Sequence, residues 1–325
     1  MMFSNLRALT FGLVFAAASC ASLADGPPIR ILVGFPPGGS SDAIARQLAQ
    51  GMQQELGRPV VVENRSGAGG QIAAQALRAA KPDGTTLFFS NSHAVSIIPV
   101  TVLNPGFDVA RDFTPVSLVT LNPDVLGLNP SVIGVAHPAM KDFTEWAKAN
   151  AGKASVGVPA PGSGPEFAVG VISRALNTGM TPVPYRGDAP LIQDLVAGQL
   201  PAGIGGVGAM LPYADAGKVR IVAVNGPSRL ARLLPDVPTY KELGIDGLEE
   251  LIFTAVFAPA GTPPELVRQY NAAIGKVVKS GVFSERTSSL GVTPASSTPE
   301  ELARRTESSR AVYARLAKET GFKPQ

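Results

Sequence analysis

Ile29-Arg30-Ile31-Leu32-Val33-Gly34-Phe35-Pro36-Pro37-Gly38-Gly39-Ser40-Ser41-Asp42 is the stretch that decides the fold. Its first five residues are a short run rich in β-branched side chains, and it stops at a proline and glycine cluster. That combination predicts a buried strand entering a tight turn. Ser40, Ser41 or Asp42 can cap a following helix, whose apolar positions Ile44, Ala45, Leu48, Ala49 and Met52 recur at helical spacing until Gly57. The unit reads as strand, glycine-rich loop, helix.

The same unit recurs outward from this point. Pro59 to Glu63 reads as a strand, Asn64 to Gly70 as a loop, and Ile72 to Ala80 as a helix. A third strand, Thr85 to Phe89, ends at Ser90-Asn91-Ser92-His93. Further along, Ala154 to Val158 reads as a strand, Pro159 to Gly164 as a turn and Pro165 to Leu176 as a helix. Val219 to Val224 and Thr254 to Ala258 read as strands, and amphipathic helices are expected over 264–279 and 298–320. Alternating buried strands and helices predict an α/β protein with mostly parallel sheets covered on both faces. Ligands of such sheets sit beyond the carboxyl ends of the strands. The loops 34–42, 64–70 and 90–94 should share that edge.

Composition narrows the class. At about 150 residues per domain, a chain of 325 residues suggests about two domains. Apolar residues make up 45 % and charged residues 16 %, so the chain can bury a core and is not a solvated disordered polymer. The 35 glycines and 29 prolines show no Gly-X-Y period, which excludes collagen and implies many sharp turns. The 28 basic and 25 acidic side chains leave a charge of +3 with no long run of either sign. A nucleic-acid footprint would need basic residues gathered on one face.

The beginning of the chain reads as an export signal. Met1 to Arg7 is a short basic region, Ala8 to Ala18 is apolar, and Ser22-Leu23-Ala24 supplies small residues for cleavage after Ala24. The apolar part is too short to span a bilayer, which takes about 20 residues. Cys20, the only cysteine, lies inside this segment, so the mature chain would contain no disulfide. An alternative makes Cys20 a lipid-anchor site, although the leucine expected three residues before it is missing.

Candidate chemistry is sparse. Gly34 to Ser41 has the glycine spacing of a phosphate loop, but Ser40 stands where its lysine must be. What remains is a glycine-rich turn at a helix N-terminus, whose free N–H groups and positive dipole end suit a carboxylate. Gly67-Ala68-Gly69-Gly70 fails the dinucleotide fingerprint because its third glycine would fall on Ile72. No Gly-x-Ser-x-Gly elbow occurs, and only His93 and His137 could act as a base. His137 precedes a proline in a surface loop; His93 lies on the ligand-facing edge. Two histidines and no mature cysteine leave no metal cluster of recognisable spacing. The residues read as a binding site with no cofactor, and a hydrolase pairing a cleft serine with His93 is the remote alternative.

Pro28 to Asp42 resembles the opening signature of the Bug family, the substrate-binding proteins of tripartite tricarboxylate transporters. The similarity continues through Val60 to Gly70, Pro82 to Leu87, and Val183-Pro184-Tyr185-Arg186-Gly187-Asp188-Ala189-Pro190. It resumes at Leu234 to Thr239 and Phe257 to Pro263. The resemblance implies a two-lobed periplasmic binding protein of type II-like architecture, not an enzyme, with a ligand cleft between lobes. It implies residues 25–121 and 252–325 in lobe 1 and 122–251 in lobe 2. The implied ligand is a small carboxylate and the implied partner a set of membrane transporter subunits, with the receptor itself a monomer. A sensor domain presenting its ligand to a signalling partner is the alternative.

By the same resemblance, Phe35, Gly39, Ser40, Ser41 and Asp42 form the first-lobe wall, with Ser90 and His93 beside it. Asp42 is expected to cap the helix and anchor water, because a carboxylate touching a carboxylate ligand would repel it. Gly162, Ser163, Gly164, Tyr185 and Gly187 match the loops across the cleft. The chain departs from the family at Gly205 and Gly206, where Asp-Asn is common, and at Glu166, where histidine is common. Two glycines should leave room, so the distal pocket is expected to accept a bulkier or less polar tail, as in an aromatic or longer-chain carboxylate.

Overall fold

The computed structural model describes residues 26–288 and 290–324; the expected leader and Cys20 lie outside them. The first part of the chain contains β1 (Ile29–Val33), α1 (Ser40–Leu56), β2 (Val60–Asn64), α2 (Gln71–Arg78) and β3 (Thr86–Asn91). Short helices α3 (Ile98–Thr101) and α4 (Val109–Asp112) lead to the long strand β4 (Phe113–Asn122). The middle part runs through β5 (Asp124–Leu128), α5 (Pro130–Ile133), α6 (Met140–Ala149), β6 (Ser155–Val158), α7 (Gly164–Leu176) and β7 (Thr181–Pro184). It continues with α8 (Asp188–Val196), β8 (Ala202–Gly206), α9 (Val207–Asp215) and β9 (Arg220–Val224). The last part contains β10 (Ile252–Pro259), α10 (Pro264–Lys279), α11 (Gly281–Ser288), β11 (Thr293–Pro294) and α12 (Pro299–Thr320).

These elements make two sheets. One has six strands in the order β11-β4-β10-β3-β1-β2, and the other has five in the order β7-β6-β8-β5-β9. Most strands of each sheet run one way, as expected, with β10 and β11 reversed in the first and β5 in the second. β1 pairs in parallel with β2 and β3, but β10 inserts antiparallel between β3 and β4. In the second sheet β6 runs parallel to β7 and β8, while β5 is antiparallel to β8 and β9. The cause is topological: the chain leaves the first sheet along β4, builds the second, and re-enters the first along β10.

The apolar run of β1 is explained by its central place. Ile29, Ile31 and Val33 face α1 and α10, packing with Ile44, Leu48, Met52 and the buried Tyr270. Leu32 faces the opposite side, with Ala73, Ala74 and Leu77 of α2. Alternate residues of a strand point to opposite faces, so a strand covered on both sides must be apolar throughout. The second sheet has the same design, with Leu126 against Phe143 and Phe167 and Val125 against Leu191 and Met210.

The two sheets are joined tightly. β4 passes into β5 through Pro123 alone, and the return runs over Glu249–Leu251 into β10. Helix α12 belongs to both cores: Leu302 packs with Phe253 and Phe257, whereas Tyr313, Leu316 and Ala317 pack with Phe167 and Ile172. The Ser96 hydroxyl donates to the Thr306 carbonyl at 3.2 Å. On the other side of the crossing, a Cβ on Gly208 would lie 2.0 Å from the Leu290 carbonyl oxygen, so backbone meets backbone and only glycine fits.

Candidate functional site

The carboxyl ends of β1, β2 and β3 point one way, and the turns beyond them pack on one another. A Cβ on Gly34 would sit 2.5 Å from the Gly70 Cα, so the turns after β1 and β2 touch through backbone. Helix α1 begins at this edge with Gly39 as its N-cap and no side-chain cap; its first-turn N–H groups are left to solvent or ligand. Ser40 is exposed, Ser41 is half-buried, and Phe35 packs its ring against the α1 side of the core.

Asp42 is buried one turn in, and both its oxygens are occupied. Oδ2 accepts from Gly38 N–H at 3.0 Å and from Arg46 Nε at 2.9 Å, and Oδ1 accepts from Asn64 Nδ2 at 2.8 Å. Asn64 Nδ2 also donates to the Phe35 carbonyl at 3.0 Å. Burial works against the charge, but the hydrogen bonds from Arg46, Gly38 and Asn64 prevail and hold Asp42 down at about 2. Its carboxylate therefore shapes the glycine-rich turn from behind. It does so from the third helical position, bonding back to Gly38, rather than as the N-cap.

Ser90 is enclosed within β3, its hydroxyl donating to the Asn91 carbonyl at 2.9 Å, so the structure places it beneath the edge. His93 stands just past β3, its ring against the Gly69 backbone, where a Cβ would meet Nε2 at 2.7 Å. Burial lowers its pKa to about 4, so the ring is neutral at pH 7. Among the described residues no hydrogen bond joins it to a serine. His137 is exposed in its loop.

On the second sheet, the ends of β6, β7 and β8 form the facing edge. Ser163 caps α7: its hydroxyl donates to the Ala160 carbonyl at 2.6 Å and accepts from Glu166 N–H at 3.4 Å. Glu166 reaches back to the Gly162 N–H, so the residue that replaces the common histidine closes its own loop. Gly162 needs its left-handed φ of 63°, and Gly187, at φ 101°, donates to the Pro159 carbonyl at 2.8 Å. Gly164 lies under Tyr313, whose hydroxyl would be 2.9 Å from a Cβ there. The Tyr185 hydroxyl is spent on Asp194 Oδ2 at 2.7 Å, and burial followed by that acceptor pushes it up to about 12.

Gly205 and Gly206 do not leave an apolar void. A Cβ on Gly205 would meet Asp188 Oδ1 at 2.6 Å, and Gly206 N–H donates to the same oxygen at 3.4 Å. Asp188, from the first turn of α8, fills the space beside the glycines, which corrects the expectation that they open room for an apolar tail. Asp124 stands next to it, because its Cα pairs with that of Gly206 across β5 and β8. Burial first and the neighbouring Asp188 second push Asp124 up to about 8, and burial raises Asp188 as well. Neither acid has a basic partner among the described residues. Sequence reading missed Asp124; its one signal was an acid directly after the proline that ends a long apolar strand. Asp188 was visible inside the Tyr185-Arg186-Gly187-Asp188 stretch, yet its role depends on a contact 18 residues away.

Two α/β units, each with its own sheet and joined by chain crossings, define the two-lobed architecture of periplasmic binding proteins. The chain belongs to the TctC family, the tripartite tricarboxylate transporter family receptors, whose profile matches residues 44–322. It is 33 % identical to protein BugT of Bordetella pertussis over 287 residues, 88 % of this chain and 87 % of the relative. It is also 35 % identical over 280 residues to a Pseudomonas sp. (strain P51) protein of the tcbD-tcbE intergenic region, covering 85 % of this chain and 81 % of that one. Among solved structures, periplasmic binding protein BugD matches with a TM-score of 0.79 and 30 % identity, over 92 % of this chain and 99 % of that one. The Rhodopseudomonas palustris protein Rpa4515 with adipate matches at 0.82 and 29 % over 92 % and 98 %, and MatC of the same species with bound malate at 0.75 and 27 % over 89 % and 98 %.

Proposed function

We propose that this protein is an exported receptor that captures a small carboxylate between its lobes, closes around it by a hinge motion and hands it to a membrane transporter. The leader is residues 1–24, with cleavage after Ala24, and the mature chain works in the periplasm. Lobe 1 is residues 25–121 and 252–325, lobe 2 is 122–251, and the hinge lies at the Pro123 and 249–251 crossings. Contacts made with both lobes at once would give the closed state its advantage.

The observation that carries this reading is the start of α1. Seventeen residues of helix end on Gly39 without a side-chain cap, at the ligand-facing edge, with Asp42 already neutralised behind the turn. Free N–H groups and the dipole end there attract a carboxylate. The adipate and malate held by two relatives are of that class.

A screen of mono- and dicarboxylates by thermal shift on the full chain is the direct test, because a ligand that binds only the folded state raises the unfolding temperature by mass action. Replacing the half-buried Ser41 by phenylalanine should abolish every such shift while leaving the ligand-free unfolding temperature within a few degrees. Retained shifts in Ser41→Phe remove the first loop from the site. The absence of any shift in the unaltered protein removes the carboxylate receptor itself.

A further inference from the structure

The two chain crossings run side by side, but the ladder that joins them stops at the lobe boundary. β4 and β10 pair as far as Asn122 and Ile252. Beyond that rung the outgoing chain passes through Pro123, which has no N–H to donate, and the returning segment 249–251 belongs to no strand. Among the described residues no hydrogen bond runs directly between 123–124 and 249–251.

Asn225, the half-buried residue directly after β9, fills that gap from the side. Its Oδ1 accepts from the Asp124 N–H at 2.7 Å, and its Nδ2 donates to the Glu250 carbonyl at 3.1 Å. Its own N–H donates to the Asp124 carbonyl at 3.0 Å, so Asn225 is fixed to the first crossing through backbone as well as side chain. The next residue, Gly226, donates its N–H to the Leu248 carbonyl at 3.2 Å. It does so at φ 116°, and a Cβ there would meet the Leu251 side chain at 2.8 Å, so the 225–226 turn lies directly on the returning segment. The Asn225 amide can face only one way, because its oxygen meets a donor and its nitrogen an acceptor. An aspartate of the same shape would keep the first bond and set a carboxylate oxygen against the Glu250 carbonyl.

The tie matters because the two crossings differ in stiffness. Pro123 restricts the backbone of the first, whereas 249–251 contains no proline. Arg305 of α12 holds the returning segment through Glu250 Oε1 and the Leu251 carbonyl, both at 3.4 Å, but it does not reach the first crossing. Joined through Asn225, the looser segment follows the stiffer one. With the tie cut, each crossing turns on its own dihedral angles, and the lobes can twist as well as close.

We propose that Asn225 is the positioning residue of the hinge: it couples the two crossings so that the lobes move along one arc, and it thereby sets how much of the ligand-free population is aligned for capture. The proposal rests on the receptor reading above and deepens it. A ligand that needs both lobes has to select the aligned molecules, and its apparent affinity falls by their fraction. That fraction is a property of the free protein, so cutting the tie should weaken every ligand by a common factor.

Pulsed electron spin resonance on the full chain tests this. Nitroxides are placed by Lys81→Cys and Lys153→Cys, with Cys20→Ser; both lysines are exposed, one on each lobe, ahead of β3 and β6 and so away from the ligand-facing edges. Asn225→Ala and the isosteric Asn225→Asp should each widen the ligand-free interlobe distance distribution about 1.5-fold or more. Glu250→Gln loses the Arg305 ion pair yet keeps the carbonyl that Asn225 uses, so it should leave the width unchanged even where it lowers the unfolding temperature. Titration calorimetry with adipate, malate and benzoate should show a common loss of about five-fold or more in Asn225→Ala, which adds no charge, with the order of affinities kept. Unchanged widths in both Asn225 variants, equal broadening in Glu250→Gln, or a loss confined to one carboxylate overturns this inference. Failure of the unaltered protein to bind any carboxylate overturns the receptor reading, and the ligand-free widths then still decide whether Asn225 couples the lobes.

Discussion

Asp42 and Asp124 are acids set near strand ends on opposite lobes, and their surroundings treat them in opposite ways. Asp42 is surrounded by donors from three directions, one of them a guanidinium, and is held at about 2. Asp124 is half-buried, has an acid for a neighbour and is pushed to about 8. Burial opposes ionisation at both sites, so the difference comes from partners. A carboxylate whose oxygens are all bonded is part of the scaffold. One left without partners inside a protein holds its proton until something better arrives.

The largest expected effect breaks the scaffold half of this comparison. Asp42→Ala leaves Gly38 N–H, Asn64 and Arg46 without their acceptor and should cost about 3 kcal/mol of stability, read by urea unfolding. A loss below about 1 kcal/mol would show that Asp42 does not organise the turn.

The pH dependences should have opposite signs. Asp42 has a lowered folded pKa, so its contribution is complete above about 4 and disappears as pH falls towards about 2. Asp124 has a raised one, so the folded state binds the extra proton and stability declines as pH rises from about 4 to about 8. Unfolding curves across pH 2 to 9 should lose the acid-side slope in Asp42→Asn and the neutral-side slope in Asp124→Asn. Identical curves for the Asp124 variant and the unaltered protein would mean that its carboxyl is solvated.

A smaller effect concerns how closely the lobes meet beside the Asp124 edge. Gly208→Ala places a methyl against the Leu290 carbonyl, where the gap for it is only 2.0 Å. Relief by separating the backbones should cost about 2 kcal/mol and widen the cleft, seen as a larger radius in small-angle scattering. The smallest is Tyr185→Phe. Its hydroxyl already belongs to Asp194, so stability should fall by about 1 kcal/mol and ligand affinity should stay within two-fold. A ten-fold affinity loss would return Tyr185 to the ligand.

Much of the fold was legible because its signals are local. The run 29–33 closed by two prolines and two glycines gave β1 and its turn, and the apolar spacing of 44–52 gave α1. What escaped depends on pairing between distant segments. Nothing in Thr254 to Ala258 says that this strand enters antiparallel between β3 and β4, against the direction of both neighbours. The site shows the same divide. Gly39 to Ser41 could be read from turn chemistry, whereas Ser90 looked available and is enclosed. The gap at Gly205 looked open until Asp188, from another helix, was seen to fill it. A glycine in sequence reports a missing side chain but not what has moved into its place.

The position of β10 also bears on how the protein is made. It is the strand between β3 and β4, but it lies 130 residues after β4 in order of synthesis. Until residue 259 has emerged, β3 and β4 each present an unpaired apolar edge, and α12, which completes both cores, comes later still. The nascent chain cannot finish its first lobe early. Under the export proposed above, late closure of this kind would keep the chain threadable, at the risk of aggregation through exposed strand edges.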